Sequence, residues 1–192
     1  QGVDIQQGYG LTETAPILTT LDAAEHREAL DSGEYGILKS VGRPLVSVDL
    51  RIVDDNNREV TVGAAGEVVV RGPNVTKGYL NRSEENKRAF RDGWFYTGDV
   101  GSVDEKGNLF LLDRKKDMII TGGENVYSAE VEAALYQHSG VNEAAVIGIP
   151  DEKYGEALFA VIVPAPGADL TEEDIIAHCR ERIGGYKIPR RM

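Results

Sequence analysis

Apolar and polar residues alternate from Val46 to Val53 and stop at Asp54-Asp55-Asn56-Asn57, which predicts a strand ending in a turn. Glu67-Val68-Val69-Val70-Arg71, bounded by Gly66 and Gly72-Pro73, predicts a β-branched strand. Ser83 opens a short helix through Phe90, ended by Asp92-Gly93. Val100 to Asp104 and Asn108 to Leu112 predict a hairpin around Glu105-Lys106-Gly107. The first hundred or so residues therefore predict a small, mostly antiparallel β-barrel or sheet.

The pattern changes after Lys116. Ser128 to His138 carries Val131, Ala134, Leu135 and His138 on one side, the spacing of a helix. Ala144 to Ile149 and Ala157 to Val163 are apolar runs of the buried-strand type, closed by Pro150 and Pro164. Thr171 with Asp174 forms a capping box, Asp replacing the usual Glu, and opens another helix. The predicted class is α+β: an antiparallel barrel or sheet, then a compact α+β unit. We place the boundary in the charged run Asp113 to Lys116, giving units 1–115 and 116–192. By itself that run also reads as an exposed turn.

Composition narrows the function. The 192 residues carry 32 acidic and 21 basic side chains, a formal charge of -11, so the basic footprint of a nucleic-acid binder is missing. No apolar run approaches the roughly 20 residues of a membrane-spanning helix. Gln1-Gly2-Val3-Asp4 shows neither a basic leader nor an apolar signal core, and the missing initiator Met fits a piece of a longer chain. Cys179 is the only cysteine, which suits a reducing cytosol. Its helical neighbours Ile175, Ile176 and Ile183 mark it as a small buried hydrophobe rather than a nucleophile, with His178 pointing away to solvent. His26 and His138 have no partners at zinc-ligand spacing.

Three loops carry candidate chemistry. In Gly8-Tyr9-Gly10-Leu11-Thr12-Glu13, two glycines flank an aromatic, so the backbone can approach a flat ligand while the ring stacks on it. Thr12 and Glu13 add a hydroxyl and a hard anionic oxygen suited to phosphate and Mg²⁺. A loop with two turn glycines and a packed tyrosine is the equally simple explanation. Glu13 stands where a dinucleotide fingerprint needs its third glycine, which argues against a nicotinamide or flavin enzyme. In Tyr96-Thr97-Gly98-Asp99 a carboxylate follows a tight glycine turn, positioned either for vicinal ribose hydroxyls or to cap its own loop. Arg114 offers a fork for ribose or phosphate oxygens, or is a surface arginine. Gly122-Gly123-Glu124-Asn125 lies between the strand Met118 to Ile120 and a helix, as a close-approach loop or a strand-to-helix turn. Gly72-Pro73-Asn74-Val75 and Gly78-Tyr79-Leu80-Asn81 read as strand edges and turns without convergent reactive groups.

The order and spacing of Gly8 to Glu13, Gly66 to Asn81, Tyr96 to Asp99 and Asp113 to Glu132 resemble successive motifs of the acyl-adenylate-forming (AMP-binding) superfamily. The resemblance covers nearly the whole chain, with Ala23 to Glu34 as a variable surface insertion. Asp113-Arg114-Lys115-Lys116-Asp117 followed by Gly122-Gly123-Glu124-Asn125-Val126-Tyr127 is similar to bacterial fatty- or aryl-acid CoA ligases.

That resemblance implies an ATP-dependent acyl-CoA synthetase. A carboxylic acid and ATP give acyl-AMP and pyrophosphate, and CoA then gives acyl-CoA and AMP. It implies that Tyr9, between Gly8 and Gly10, stacks on adenine, that Thr12 contacts the α-phosphate and that Glu13 holds Mg²⁺. Asp99 binds the ribose hydroxyls and Arg114 reaches the ribose. Lys116 is the hinge of a small mobile domain, and Gly122, Gly123 and Glu124 lie on the loop used for thioester formation. The family's Ser/Thr/Gly-rich phosphate loop is expected before Gln1, and its catalytic lysine beyond Tyr186-Lys187-Ile188-Pro189-Arg190. The 192 residues alone are therefore expected to be inactive in adenylation. An adenylating domain that loads a carrier-protein thiol and a non-catalytic nucleotide-binding module are the alternatives.

Overall fold

The computed structural model describes residues 3–192, so Gln1 and Gly2, read above for a leader, lie outside it. Cα packing divides the chain into two compact units, Gln1–Leu111 and Leu112–Met192.

In the first unit, β1 (Gln7–Tyr9), β2 (Thr19–Leu21) and β3 (Arg43–Pro44) form a small antiparallel sheet in that order. α1 (Ala23–Ser32) follows β2. Asp22 caps it by accepting from the N–H groups of Ala24 and Glu25. The stretch read as a surface insertion is thus mostly a helix, and its Ala29 is buried.

A second sheet contains β4 (Asp49–Val53), β5 (Gly66–Arg71), β6 (Phe90–Arg91), β7 (Trp94–Val103) and β8 (Leu109–Arg114), in the order β4-β5-β7-β6 with β8 also on β7. β4 starts later than the alternation predicts. Val48 N–H donates to Leu45 O at 2.9 Å, so Leu45 to Val48 is a turn. α2 spans Ser83–Ala89, and Phe90 leaves it to begin β6. Ile52, Val68, Val70, Phe95 and Leu109 form the core, with Leu18 and Val48. Val68 and Val70 are fully buried, which is why the β-branched run reads so clearly as a strand.

In the second unit, β9 (Ile119–Thr121), β10 (Glu124–Val126), β11 (Val141–Asp151) and β12 (Gly155–Pro164) are ordered β10-β9-β12-β11, with antiparallel pairing throughout. Pro150 lies inside β11, opposite Glu156, rather than ending it. β11 is the edge strand, where a residue without an N–H is tolerated. α3 (Ser128–Leu135) and α4 (Glu172–Arg180) supply Val131, Leu135, Ile175 and Cys179 to a core completed by Ile119, Val146 and Leu158. Thr171 and Asp174 make the reciprocal cap of α4, with Asp174 N–H on Thr171 Oγ1 and Thr171 N–H on Asp174 Oδ2, both at 3.2 Å. His178 does not point to solvent. Its Nε2 lies 2.8 Å from Ala134 O, and its ring meets His138 edge to face. The second contact ties α4 to the segment after α3. Among the described residues no helix is long and apolar enough to cross a membrane.

Candidate active site

β1 ends at Tyr9, and the chain then folds back on itself. Leu18 N–H donates to Tyr9 O at 2.8 Å, closing residues 9–18 into a loop. At its apex, Thr12–Thr14 form one 3-10 turn, followed by Ala15 in the left-handed region at φ 48°. Gly10 is required by sterics. A Cβ there would stand 1.6 Å from Pro16 O. The loop is also held from outside: Asn74 Nδ2 donates to Thr14 O at 2.7 Å and Ile17 O at 3.1 Å, and Thr76 N–H donates to Glu13 O at 2.8 Å. Thr12 is exposed and Glu13 half-buried.

Asp99 reaches the same loop through an irregularity in β7. Glu67 pairs with Val100 and Val69 with Tyr96, so three residues of β7 stand opposite one of β5. The bulged residues are Thr97, Gly98 and Asp99, with Gly98 at φ +76°. Thr97 Oγ1 donates to Val68 O at 2.8 Å and accepts from Asp99 N–H at 3.1 Å, which fixes the bulge. The motif read as a glycine turn is thus a kink inside a ten-residue strand. It aims the Asp99 carboxylate at Tyr9, whose hydroxyl donates to Asp99 Oδ2 at 2.6 Å.

A second long-range pair was not legible in the sequence. Tyr79 Oη donates to Glu13 Oε1 at 2.9 Å. Burial pushes the Tyr79 phenol up, and the hydrogen bond and negative charge of Glu13 add to it, to about 12. Residues 72–75 and 78–81, read as edges and turns without reactive groups, therefore supply Asn74 and Tyr79 to the loop, and Thr76 between them supplies a backbone N–H. Polar side chains beside the turn glycines were the one available signal, and it named no partner.

The second unit carries the remaining candidates. Arg114 closes a turn by accepting at its carbonyl from the N–H groups of Asp117 and Met118, at 3.0 and 3.2 Å, and Lys116 is exposed within that turn. Asp113 does more than sit in an exposed turn. Its Oδ2 accepts from Ser128 Oγ at 2.8 Å, at the start of α3. Gly122 and Gly123, at φ +61° and +87°, are the two central residues of a hairpin between β9 and β10, with Thr121 paired to Glu124. Two successive positive φ values define the primed turn that suits a two-residue hairpin. Of the two sequence readings, the strand-to-helix turn is replaced by this hairpin, and α3 begins only after β10. Glu124 is exposed on the outgoing strand, and Gly122 N–H donates to Tyr154 O at 2.8 Å. Among the described residues no group of three or more His, Cys, Asp or Glu is arranged to hold a metal.

The AMP-binding enzyme family model matches residues 1–80, and the AMP-binding enzyme C-terminal domain model matches residues 130–192. The chain is 45% identical over 190 residues to feruloyl-CoA synthase of an Amycolatopsis species, covering 99% of this chain and 37% of that protein. Among solved structures it resembles o-succinylbenzoate CoA synthetase (MenE) of Bacillus subtilis in complex with the acyl-adenylate OSB-AMP. There the TM-score is 0.86 at 39% identity, over 98% of this chain and 37% of that one. It also resembles the amide bond synthetase McbA of Marinactinospora thermotolerans, with TM-score 0.82 at 41% identity, over 97% of this chain and 37% of that one. The chain belongs to the AMP-binding enzyme family. It spans a little over a third of the length of these relatives, 37% in each case.

Proposed function

We propose that the protein to which this chain belongs is an AMP-forming acid–thiol ligase. A carboxylate oxygen attacks the α-phosphorus of ATP, forming acyl-AMP and expelling pyrophosphate. The CoA thiol then attacks the acyl carbon, giving the thioester and AMP, and its proton leaves to solvent. The observation that carries the reading is the Tyr9–Asp99 pair, a ring and a carboxylate joined at 2.6 Å beside a loop whose apex carries Thr12 and Glu13. An adenosine needs a flat surface for its base and an acceptor for its vicinal hydroxyls, and these two side chains supply both. Tyr9 stacks on adenine between Gly8 and Gly10, Asp99 binds the ribose, and Thr12 contacts the α-phosphate.

Mg²⁺ fits the donor set. The ion keeps several waters and binds through one or two carboxylates plus substrate phosphates, and Glu13 offers such a carboxylate with one oxygen already oriented by Tyr79. Bound there, it neutralises phosphate charge. Arg114 reaches the ribose, Lys116 is the hinge between regions 1–115 and 116–192, and Gly122, Gly123 and Glu124 serve the thioester step. The turn at 114–118 and the exposed Gly-Gly hairpin support that division of labour. The single, buried Cys179 suits a cytoplasmic enzyme.

Aromatic carboxylic acids are the first substrates to try, because a feruloyl-CoA synthase and an o-succinylbenzoate CoA synthetase are among the similar proteins. Likeness to an amide bond synthetase keeps a second acceptor in view, an amine in place of the CoA thiol. Incubating the whole protein with acid, ATP and either CoA or an amine separates the two. A thioester supports the first reading and an amide the second.

A further inference from the structure

We infer that Tyr79 is a positioning residue for the cation, acting through Glu13. The inference rests on the proposed role of Glu13 as the Mg²⁺ ligand. Three observations support it. First, the Tyr79 hydroxyl donates to only one oxygen of Glu13, Oε1, at 2.9 Å. A carboxylate held this way cannot rotate freely, and its Oε2 keeps its lone pairs for a ligand. Mg²⁺ demands near-ideal octahedral geometry, so a lone protein carboxylate serves it best when pre-oriented.

Second, Tyr79 is itself held firmly. Its N–H donates to Asn86 Oδ1 at 2.7 Å, and its carbonyl accepts from Asn86 Nδ2 at 2.8 Å. One side-chain amide of α2 thus satisfies both backbone groups of Tyr79. The phenol ring meets Phe90 edge to face with centroids 5.8 Å apart, and Phe90 stacks on Phe95 at 4.9 Å. Phe95 is a buried core residue of β7. A continuous path therefore runs from the sheet core through two aromatic rings to the Glu13 carboxylate.

Third, the backbone of Glu13 is anchored from the same segment, by Thr76 N–H on Glu13 O at 2.8 Å. Residues 76 and 79 thus grip Glu13 at both its main chain and its side chain. Packing alone would not require the hydroxyl, since a phenylalanine would make the same contact with Phe90. The hydroxyl has one partner along this path, and that partner is Glu13.

The test is a double-mutant cycle in the whole protein with Tyr79→Phe, Glu13→Gln and both together. The readout is Mn²⁺ binding in the presence of ATP, followed by electron paramagnetic resonance, with thermal melting as the folding control. Loss of an orienting partner of a metal ligand weakens metal affinity by about 10–100-fold. Tyr79→Phe should therefore weaken Mn²⁺ by about that factor with little change in melting, and should do nothing further in the Glu13→Gln background. Weakening by Glu13→Gln with no effect of Tyr79→Phe would overturn the positioning role alone. No effect of Glu13→Gln would overturn the reading of Glu13 and the inference with it. Equal losses from Tyr79→Phe in both backgrounds would assign Tyr79 a role independent of Glu13, which also refutes the inference.

Discussion

The Tyr9 hydroxyl donates to Asp99 Oδ2 at 2.6 Å across 90 residues of sequence. The two groups come from unrelated local structures, the end of β1 and a bulge in β7. If they serve one adenosine, their substitutions should differ in kind. Tyr9→Ala removes the stacking surface and should cost about 1–3 kcal/mol of nucleotide affinity, whereas Tyr9→Phe keeps the ring and should cost less. Asp99→Ala should weaken ATP but not 2′,3′-dideoxy-ATP, which has no vicinal hydroxyls to bind. Calorimetric titration of the whole protein with both nucleotides measures this.

Gly10 makes a purely steric prediction. A methyl group at that position would overlap Pro16 O, so Gly10→Ala must displace the loop that carries Thr12 and Glu13. Gly36, around which a Cβ meets open space, is the control. Gly10→Ala should lower adenylation at least tenfold, and Gly36→Ala should leave it near wild type. Pyrophosphate-exchange rates of the two variants decide the point.

Much of the scaffold was legible because its signals are local. The run Val68-Val69-Val70 is buried and forms β5, and the Thr171–Asp174 box opens α4 where the residues place it. The signals failed where pairing decides. β10 is only Glu124-Asn125-Val126, too short and polar to alternate, so the sequence left the Gly-Gly segment open between a close-approach loop and a strand-to-helix turn and did not show the hairpin. The site is more hidden than the fold. Nothing near Tyr79 in sequence points to Glu13, 66 residues away, and Asp99 owes its direction to a register shift between two strands.

Asp104 gives a pH prediction. Its Oδ1 accepts from the N–H groups of Lys106 and Asn108 at 2.9 and 2.8 Å, and its Oδ2 from Asn108 Nδ2 at 2.8 Å. Burial pushes this carboxyl up, but the hydrogen bonds from Asn108 and Lys106 together outweigh it and hold it below the ordinary aspartate range. A depressed folded pKa means stabilisation that is present above about pH 4 and lost as pH falls through the folded value. Asp104→Ala should cost about 1 kcal/mol at pH 7, allowing for solvent screening. The gap from wild type should narrow as pH falls below about 4, as read by urea unfolding.

If Lys116 is the hinge, its substitution should separate the two proposed half-reactions. Proline there fixes φ and restrains Lys115 to extended backbone, which should impede rotation about the turn. In the whole protein, Lys116→Pro should leave acyl-AMP formation within a few-fold of wild type and reduce thioester formation at least tenfold. Comparable losses in both, measured by single-turnover chemistry, would remove Lys116 from the hinge role.

The most direct test of the account is acid-dependent ATP–pyrophosphate exchange by the whole protein, over a panel of aromatic and aliphatic carboxylic acids, alongside Asp99→Ala. Exchange should appear only with a suitable acid and fall at least tenfold in the variant. Acid-dependent exchange that Asp99→Ala leaves unchanged would contradict the site drawn here, and no exchange with any acid would contradict adenylation itself.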